Sequence, residues 1–190
     1  MEKNESKYFY TAELMNQALI SLLEKKDIEF ITVTEITKKA GVNRSTFYLH
    51  YENVYELLEE TIENLNKQFL SSFNVQAPFH ITSKEEAFLI TDEKLVPYLE
   101  FVKQNKRVLK LINKKPQLFR ARITYQNMYA KIFYPAISQY VSREDEKIYN
   151  LEFYTRGVVA IIHKWLELNC VTEIDKLVEI IKNCVNYTVK

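Results

Sequence analysis

The stretch Thr32–Tyr51, TVTEITKKAGVNRSTFYLHY, decides the fold of this chain. Its opening threonine and Glu35 are three positions apart, which is the spacing of a capping box at the start of a helix. Gly41, one of only 2 glycines in the chain, ends that helix, because glycine adopts the positive φ of a tight turn. Asn43 then caps a second short helix, from Arg44 to about His50. The pattern predicts a helix-turn-helix.

The second short helix has two chemically different faces. Phe47 and Tyr51 lie one turn apart and should face inward, whereas Arg44 and Tyr48 share an outward stripe flanked by polar residues. Arginine can recognise guanine by a bidentate contact, and hydroxyl groups suit phosphate oxygens. A helix of this kind can enter the major groove of DNA while its apolar side docks on neighbouring helices. On the pattern alone, an ordinary helical corner stays open as the alternative.

The same twenty residues resemble the DNA-binding signature of the TetR family. That pattern is a threonine-capped second helix, an alanine-glycine-valine turn, and a recognition helix ending in phenylalanine-tyrosine, any residue, histidine or serine, then an aromatic residue or valine. Residues 153–166, FYTRGVVAIIHKWL, are more weakly similar to the penultimate helix of one branch. The resemblance implies a DNA-binding transcriptional regulator. In that branch the last two helices form a dimer interface and the middle helices enclose a ligand cavity.

The resemblance also implies roles for individual residues. Base recognition falls to Arg44, with Thr34 and Ser45 as further candidates, and the remaining positions would contact the DNA backbone or support such contacts. The complete predicted DNA-binding set is Thr32, Thr34, Asn43, Arg44, Ser45, Thr46, Tyr48 and His50. Two alternatives stay open within it: Tyr48 could only pack, and His50 could be a structural cap of the recognition helix.

One departure from the family pattern concerns charge. Many members have a lysine at the start of the fourth helix, where this chain has Val54, and residues 1–60 carry more acids than bases. We therefore expect fewer phosphate contacts and a shallower dependence of DNA affinity on salt. Lys7, Lys38 and Lys39 compensate in part.

The composition favours helices over strands throughout the chain. The 190 residues are 47% hydrophobic and include 4 prolines, too few turn-forming residues for a sandwich or barrel. We expect an all-α protein with a helix-turn-helix DNA-binding domain at residues 1–52 and a ligand-binding and dimerisation domain at residues 53–190. Helices are predicted at residues 11–26, 53–73, 144–168 and 172–189, with a loop at 71–83. Pro116 should start a helix and Pro135 should kink or break one.

Charge and hydropathy limit the cellular compartment and the partners that we expect for the protein. The net charge is +1, so no strong field identifies a partner. No apolar run reaches about 18 residues, and the first ten residues lack the apolar stretch of a signal peptide. We expect a cytoplasmic protein without membrane contact, whose partners are double-stranded operator DNA, a second copy of the chain and a small-molecule effector.

Aromatic residues are unusually dense between Tyr98 and Tyr154. The chain has 13 tyrosines and 11 phenylalanines, and such residues usually form the core. Several of these tyrosines would bring hydroxyl groups into an apolar interior, where hydroxyls need partners. A cavity lined by aromatics with a few polar tips is typical of a small-molecule site. The predicted lining is Tyr98, Phe101, Tyr125, Tyr129 and Tyr154.

Residues 157–162 are apolar at nearly every position. A helix that is apolar all round cannot lie on the surface of a monomer. The last helix also has an apolar stripe, from Ile174 to Val185. We expect a two-fold dimer with four helices in its interface, which would set two recognition helices about one DNA turn apart. The predicted interface residues are Gly157, Val158, Ile161, Ile162, Trp165, Leu177, Ile181 and Cys184.

Two other classes of function compete with a DNA-binding regulator. An enzyme is disfavoured because the sequence has no nucleophile-base-acid constellation, phosphate loop or metal motif. His163 is better explained as an interior or interface residue, and His80, Cys170 and Cys184 lack ligand spacing, so we expect no metal and no cofactor. A carboxy-terminal half that binds another protein, and activation in place of repression, both stay open.

Overall fold

The computed structural model describes residues 2–72 and 83–187. Within these ranges every regular element is a helix, which confirms the all-α prediction. The described residues also include no helix that is long and apolar enough to cross a membrane. The chain forms two compact units, Met1–Asn66 and Lys67–Lys190. The predicted domain boundary at 52/53 lies earlier in the chain and stays a prediction.

The first unit contains the predicted helix-turn-helix. Its elements are α1 (Glu2–Leu23), a 3-10 turn (Ile28–Phe30), α2 (Val33–Ala40), α3 (Arg44–His50) and most of α4 (Val54–Ser72). The α1 helix starts well before the predicted residue 11 and ends before Lys25. Fully buried apolar side chains from all four helices form the core: Leu19, Leu23, Ile36, Phe47 and Leu57.

A buried polar contact joins α1 to α4 in this core. The Thr61 hydroxyl lies 2.6 Å from Asn16 Oδ1 and 2.7 Å from the Leu57 carbonyl oxygen. Both side chains are buried, and buried polar groups are costly unless they are hydrogen-bonded. This contact therefore favours one alignment of α1 and α4, since sliding either helix would leave a polar group unsatisfied.

The second unit is built from the remaining helices. They are α5 (Lys84–Ala87), α6 (Asp92–Gln104), α7 (Lys106–Lys114), α8 (Ala121–Met128), a π-helical turn (Tyr129–Phe133), α9 (Tyr134–Ser138), α10 (Glu144–Glu167) and α11 (Ile174–Tyr187). The α11 helix packs against α6, and α10 packs against α7, α9 and α11. The indole Nε1 of Trp165 donates to the Thr172 carbonyl oxygen over 2.9 Å, which fixes the turn between the last two helices.

Two proline predictions have different outcomes. Pro116 does not start a helix: it lies in a run of turns, and α8 begins only at Ala121, after Arg120 adopts a φ of 50°. Pro135 does not break the helix but follows the π-helical turn at the start of α9. A proline inside a helix removes one N–H and clashes with the carbonyl four residues earlier, and the wider turn accommodates that clash. The predicted loop at 71–83 lies almost entirely outside the described residues.

Candidate nucleic-acid interface

The amino terminus of α2 is fixed by the predicted capping box. The Thr32 hydroxyl accepts from the Glu35 backbone N–H at 3.3 Å, and the Thr32 N–H donates to the Glu35 carboxylate at 3.0 Å. Lys26 Nζ lies 2.6 Å from the other carboxylate oxygen. The hydrogen bond from Lys26, followed by those from Thr32, lowers the pKa of Glu35 to about 2. The cap therefore ties α2 to the turn after α1.

The turn between α2 and α3 depends on Gly41. Its φ is +70° and its N–H donates to the Thr37 carbonyl oxygen. A side chain would find open space there, so backbone conformation alone makes glycine the favoured residue. Asn43 occupies the cap position of α3, but its side chain makes no capping hydrogen bond. The predicted cap is therefore right in position, while the amide does not bond the helix end.

The two faces of α3 are arranged as predicted. Phe47 is 0% exposed and Tyr51 is 3% exposed, whereas Tyr48 is 51% exposed. On the outer face, Arg44 Nη2 donates to the Tyr48 hydroxyl over 3.3 Å, and the guanidinium carbon lies 5.9 Å from the centre of the tyrosine ring. The arginine is thus held against its neighbour, in a position from which both polar groups face solvent.

Of the other predicted DNA-binding residues, Thr32, Thr34, Asn43 and Ser45 are exposed and Thr46 is half-buried. The hydroxyl of Thr32 is already engaged with Glu35. Most residues of the predicted DNA-binding set are therefore accessible on the helix-turn-helix. The contacts of these residues with DNA stay a prediction.

His50 sits differently from the rest of the set. Its ring stacks on Tyr8 of α1, with ring centres 3.9 Å apart and planes 20° apart. Its Nδ1 is buried with no hydrogen-bond partner among the described residues. Burial lowers the pKa of His50, while the nearby Glu60 carboxylate opposes that shift. These contacts support the structural interpretation of His50 and reveal Tyr8 as its partner, which no sequence signal indicated.

Leu49 is an exposed apolar residue of α3 outside the predicted DNA-binding set. The family pattern allows any residue at this position, yet the side chain is 79% exposed, the highest value among the large apolar residues described. It follows Ser45 by one helical turn on the outer side of α3. An apolar side chain on a helix that enters the major groove can contact the methyl group of thymine. Periodicity could have identified it, since 45 and 49 form one stripe.

A small cavity occupies the second unit. Its volume is about 40 Å³, and its lining includes Phe88, Tyr98, Met128, Phe133, Tyr154 and Val158. Two of the predicted lining residues, Tyr98 and Tyr154, are therefore in place. Phe101 and Tyr129 are not part of this lining, and the Tyr125 side chain lies outside the described residues. Burial raises the pKa of the Tyr98 hydroxyl, which favours the protonated, neutral form of this group.

The predicted dimer residues divide into two groups. Four of them are buried inside the second unit: Ile162, Trp165, Leu177 and Ile181. Val158 lines the cavity and Ile161 is half-buried, whereas Gly157 and Cys184 are exposed. On α10, the exposed Tyr149 and Phe153 precede Gly157 at four-residue intervals, which forms an apolar stripe on the outer side of that helix. These two aromatics were missing from the predicted set.

A helix-turn-helix with a two-faced recognition helix, joined to a second all-helical unit, defines a DNA-binding transcriptional regulator. The chain belongs to the TetR family. Residues 17–61 match the model described as "Bacterial regulatory proteins, tetR family", and residues 91–187 match "Transcriptional regulator C-terminal region". Regulators of this family are generally not enzymes. Among the described residues no group of three or more His, Cys, Asp or Glu is placed to hold a metal ion.

Two individual proteins are similar to this chain. The first is the "Uncharacterized HTH-type transcriptional regulator YxbF" of Bacillus subtilis (strain 168), 31% identical over 96 residues, which are 48% of this chain and 23% of that protein. The chain thus matches only about a quarter of that relative's length. The second is a solved structure, "Dihydroxyacetone kinase operon activator DhaS", with a TM-score of 0.59 and 20% identity over 94% of this chain and 96% of that one. At that identity the likeness shows the fold alone.

Proposed function

We propose that this regulator is a repressor that binds a palindromic operator as a dimer and is released by a small neutral effector. The observation that carries the proposal is the outward pair formed by Arg44 and Tyr48 on α3. Arg44 would turn from the tyrosine hydroxyl to a guanine edge, and Tyr48 would then bond a phosphate oxygen. Thr34 and Ser45 would add base contacts, and Thr32, Asn43 and Thr46 would contact the DNA backbone or support such contacts. His50 would instead support the recognition helix through its stack on Tyr8.

Dimerisation is proposed through the outer faces of α10 and α11. The buried members of the predicted interface support the helices from inside the protomer, so the contact itself falls to the exposed stripe of Tyr149, Phe153 and Gly157, with Ile161 and Cys184. Exposed apolar stripes of this length on a surface helix favour a partner. The matching two-fold arrangement would place recognition helices about 34–36 Å apart, one turn of DNA.

The effector is proposed to bind at the cavity of the second unit. A cavity of about 40 Å³ holds only a few waters, whereas small-molecule pockets begin at about 300 Å³. An effector would therefore bind only a conformation in which the cavity walls have moved apart. Because it would bind that conformation more tightly than the closed one, it would shift the population towards it. Arg156, a basic residue of α10, is exposed and pairs with Glu152, which supports a neutral ligand.

The test begins with a binding selection against random duplex DNA. Affinity for the selected operator is then measured for the wild type, Arg44→Ala and the surface control Lys176→Ala. Arg44→Ala should lose about 1–3 kcal/mol and relax the preference at one base pair, while the control should bind normally. Unchanged affinity and preference in Arg44→Ala would remove Arg44 from the site.

The regulatory part of the proposal needs its own measurements. Ile161→Glu should yield monomers or aggregates, because it places an unpaired charge in the proposed interface, and a soluble dimer at micromolar concentration would place the interface elsewhere.

A compound that raises the melting temperature should weaken operator affinity, and DNA should weaken its binding by the same factor. A reporter gene behind the operator distinguishes repression from activation, the activity that the name of the structural neighbour states for that protein.

A further inference from the structure

The short helix α5 of the second unit ends in a turn whose backbone conformation is unusual for the residue that occupies it. The Leu89 N–H donates to the Glu86 carbonyl oxygen over 3.1 Å, and the Ile90 N–H donates to the Glu85 carbonyl oxygen over 2.9 Å. These two bonds form a Schellman motif, in which the residue after the helix is left-handed and is usually glycine. Leu89 accordingly has a φ of 57°. A side chain disfavours this conformation by a factor of about 5–30.

Packing holds Leu89 in this conformation. Arg120 and Asn169 occupy the same position in two other turns of the second unit, with the same two bonds and a positive φ, and both are exposed. Leu89 is instead buried in one apolar cluster with Met128 and Ile132. Burial of a side chain of this size offsets the unfavourable backbone conformation. The turn is therefore stable only while the leucine stays packed.

The same turn forms one wall of the cavity. The four consecutive residues from Ala87 to Ile90 line it, and the other described lining residues lie on α6, α8, the π-helical turn and α10. Of the described lining, only Phe88–Ile90 thus lies outside a helix. Every residue inside a helix is held by backbone bonds to the turns on either side of it, whereas two bonds hold this segment to α5. Moving it therefore breaks fewer hydrogen bonds than moving any helical wall.

A contact between two aromatic rings closes the cavity at this turn. The ring of Phe88 lies 3.9 Å from that of Tyr154 on α10, centre to centre, with the planes 45° apart. Both residues line the cavity, and Phe88 is only half-buried. The contact therefore lies between the cavity and the surface of the unit, and separation of the two rings would open a route to solvent.

We propose that Phe88–Ile90 is the movable wall of the cavity, and that an effector binds by releasing Leu89 from its left-handed conformation. The release removes an unfavourable backbone conformation, which offsets part of the packing that the leucine loses. A ligand with a neutral, apolar body would cover the surface that Leu89 leaves, and it would thereby favour the open form. The inference rests on the proposed effector site and identifies the part of that site that moves.

The experiment separates the backbone of this turn from its side chain. Leu89→Ala and Leu89→Gly both delete the packing of the leucine and differ by one methyl group, but only glycine adopts the left-handed conformation freely. The glycine variant should therefore keep the turn closed more firmly than the alanine variant. Asn169→Ala and Asn169→Gly make the same exchange at a turn outside the described cavity lining, and they form the control pair. Melting temperatures verify that all four variants fold.

Two measurements report on the turn, and the first needs no ligand. Hydrogen exchange of the Ile90 amide follows the opening that breaks its bond to Glu85. The second is a titration with the neutral fluorescent probe N-phenyl-1-naphthylamine, which is too large for a cavity of about 40 Å³, even after truncation of the leucine. Relative to Leu89→Ala, Leu89→Gly should slow the exchange about 5-fold. It should weaken probe binding by the same factor, since apparent affinity scales with the population of the open form.

The control pair should show equal exchange at Ile90 and equal probe affinity. Slower exchange in Leu89→Gly together with equal probe affinities at position 89 would overturn the proposal, because the turn would then open without admitting the ligand. Equal exchange rates in the two Leu89 variants would also overturn it, since the left-handed conformation would then not govern the opening. Absence of probe binding in every protein, wild type included, would instead contradict the proposed effector site, while the exchange of Ile90 would still decide whether this turn opens.

Discussion

The helix-turn-helix and the cavity of the second unit are specified by the sequence in different ways. The helix-turn-helix depends on neighbours in the chain, since Thr32 bonds Glu35 and Gly41 bonds Thr37. The cavity is enclosed by residues from Ala87 to Val159, which only the packing of several helices brings together. A motif with local determinants can be recognised from twenty residues. A cavity needs the whole unit, and two of its five predicted members are in its lining.

The largest expected effect tests the local region. Phe47→Ala should lower the free energy of unfolding by about 3–5 kcal/mol, because it empties a fully buried site in the small first unit. Denaturant unfolding measures the loss, and Leu99→Ala, equally buried in the second unit, is the matched variant. The Phe47 variant should lose operator binding, whereas the Leu99 variant should keep it below its unfolding midpoint. The reverse pattern would show that the first unit is not the independent carrier of DNA binding.

The chain's two glycines allow a second test, beginning with Gly41. Gly41→Ala should destabilise the protein by about 1–2 kcal/mol, because an alanine at a φ of +70° adopts the left-handed region at that cost. The thermal midpoint measures this change. A neutral result would mean that the turn relaxes to another conformation, and operator affinity would then reveal whether α3 has moved.

Gly157 should respond with the opposite sign. It lies inside α10 with open space around it, so Gly157→Ala should stabilise the isolated protomer by about 0.5–1 kcal/mol. If α10 packs closely against a second subunit at this position, the same change should weaken the dimer. Sedimentation velocity across a dilution series separates the two effects, and a variant that stabilises both protomer and dimer would place Gly157 outside the interface.

The contribution of Leu49 to DNA affinity should be smaller, and a chemical change in the DNA can detect it. If it contacts a thymine methyl group, replacing the critical thymine by deoxyuridine should cost the wild type about 0.8 kcal/mol, the value of one buried methylene-sized group. The variant Leu49→Ala should be insensitive to that replacement. Equal sensitivity of wild type and variant at every thymine of the operator would exclude the contact.

The smallest expected effect concerns the cap of α2 in acid. The pKa of Glu35 is lowered to about 2 in the folded protein, so its contribution to stability is present above the unfolded pKa near 4.5 and is lost as the pH falls towards 2. The variant Glu35→Gln should therefore show a flatter decline of the melting temperature across that window. Identical pH profiles for both proteins would mean that Lys26 and Thr32 do not favour the charged carboxylate in solution.

How much the sequence could predict follows from the range of the interactions involved. The caps, the glycine turn and the two faces of α3 depend on residues within about one helical turn, so their spacing is visible in the chain. The stacking of Tyr8 on His50 and the burial of Trp165 depend on helices that meet only in the fold. For the same reason, the apolar run 157–162 predicted a surface partner although it also serves the cavity wall and the core of its own unit.

The π-helical turn at Tyr129–Phe133 has a consequence for the geometry of the cavity wall. Met128 and Phe133, five residues apart, both line the cavity. In a regular α-helix such a pair would point about 140° apart, but a turn closed by bonds between residues five apart brings them to one side. The extra residue in this turn changes the direction in which the following side chains point, relative to those before it. Removing one residue from this turn should leave a continuous helix and yet rotate half of the wall away from the cavity, so this segment should tolerate substitution far better than a change of length.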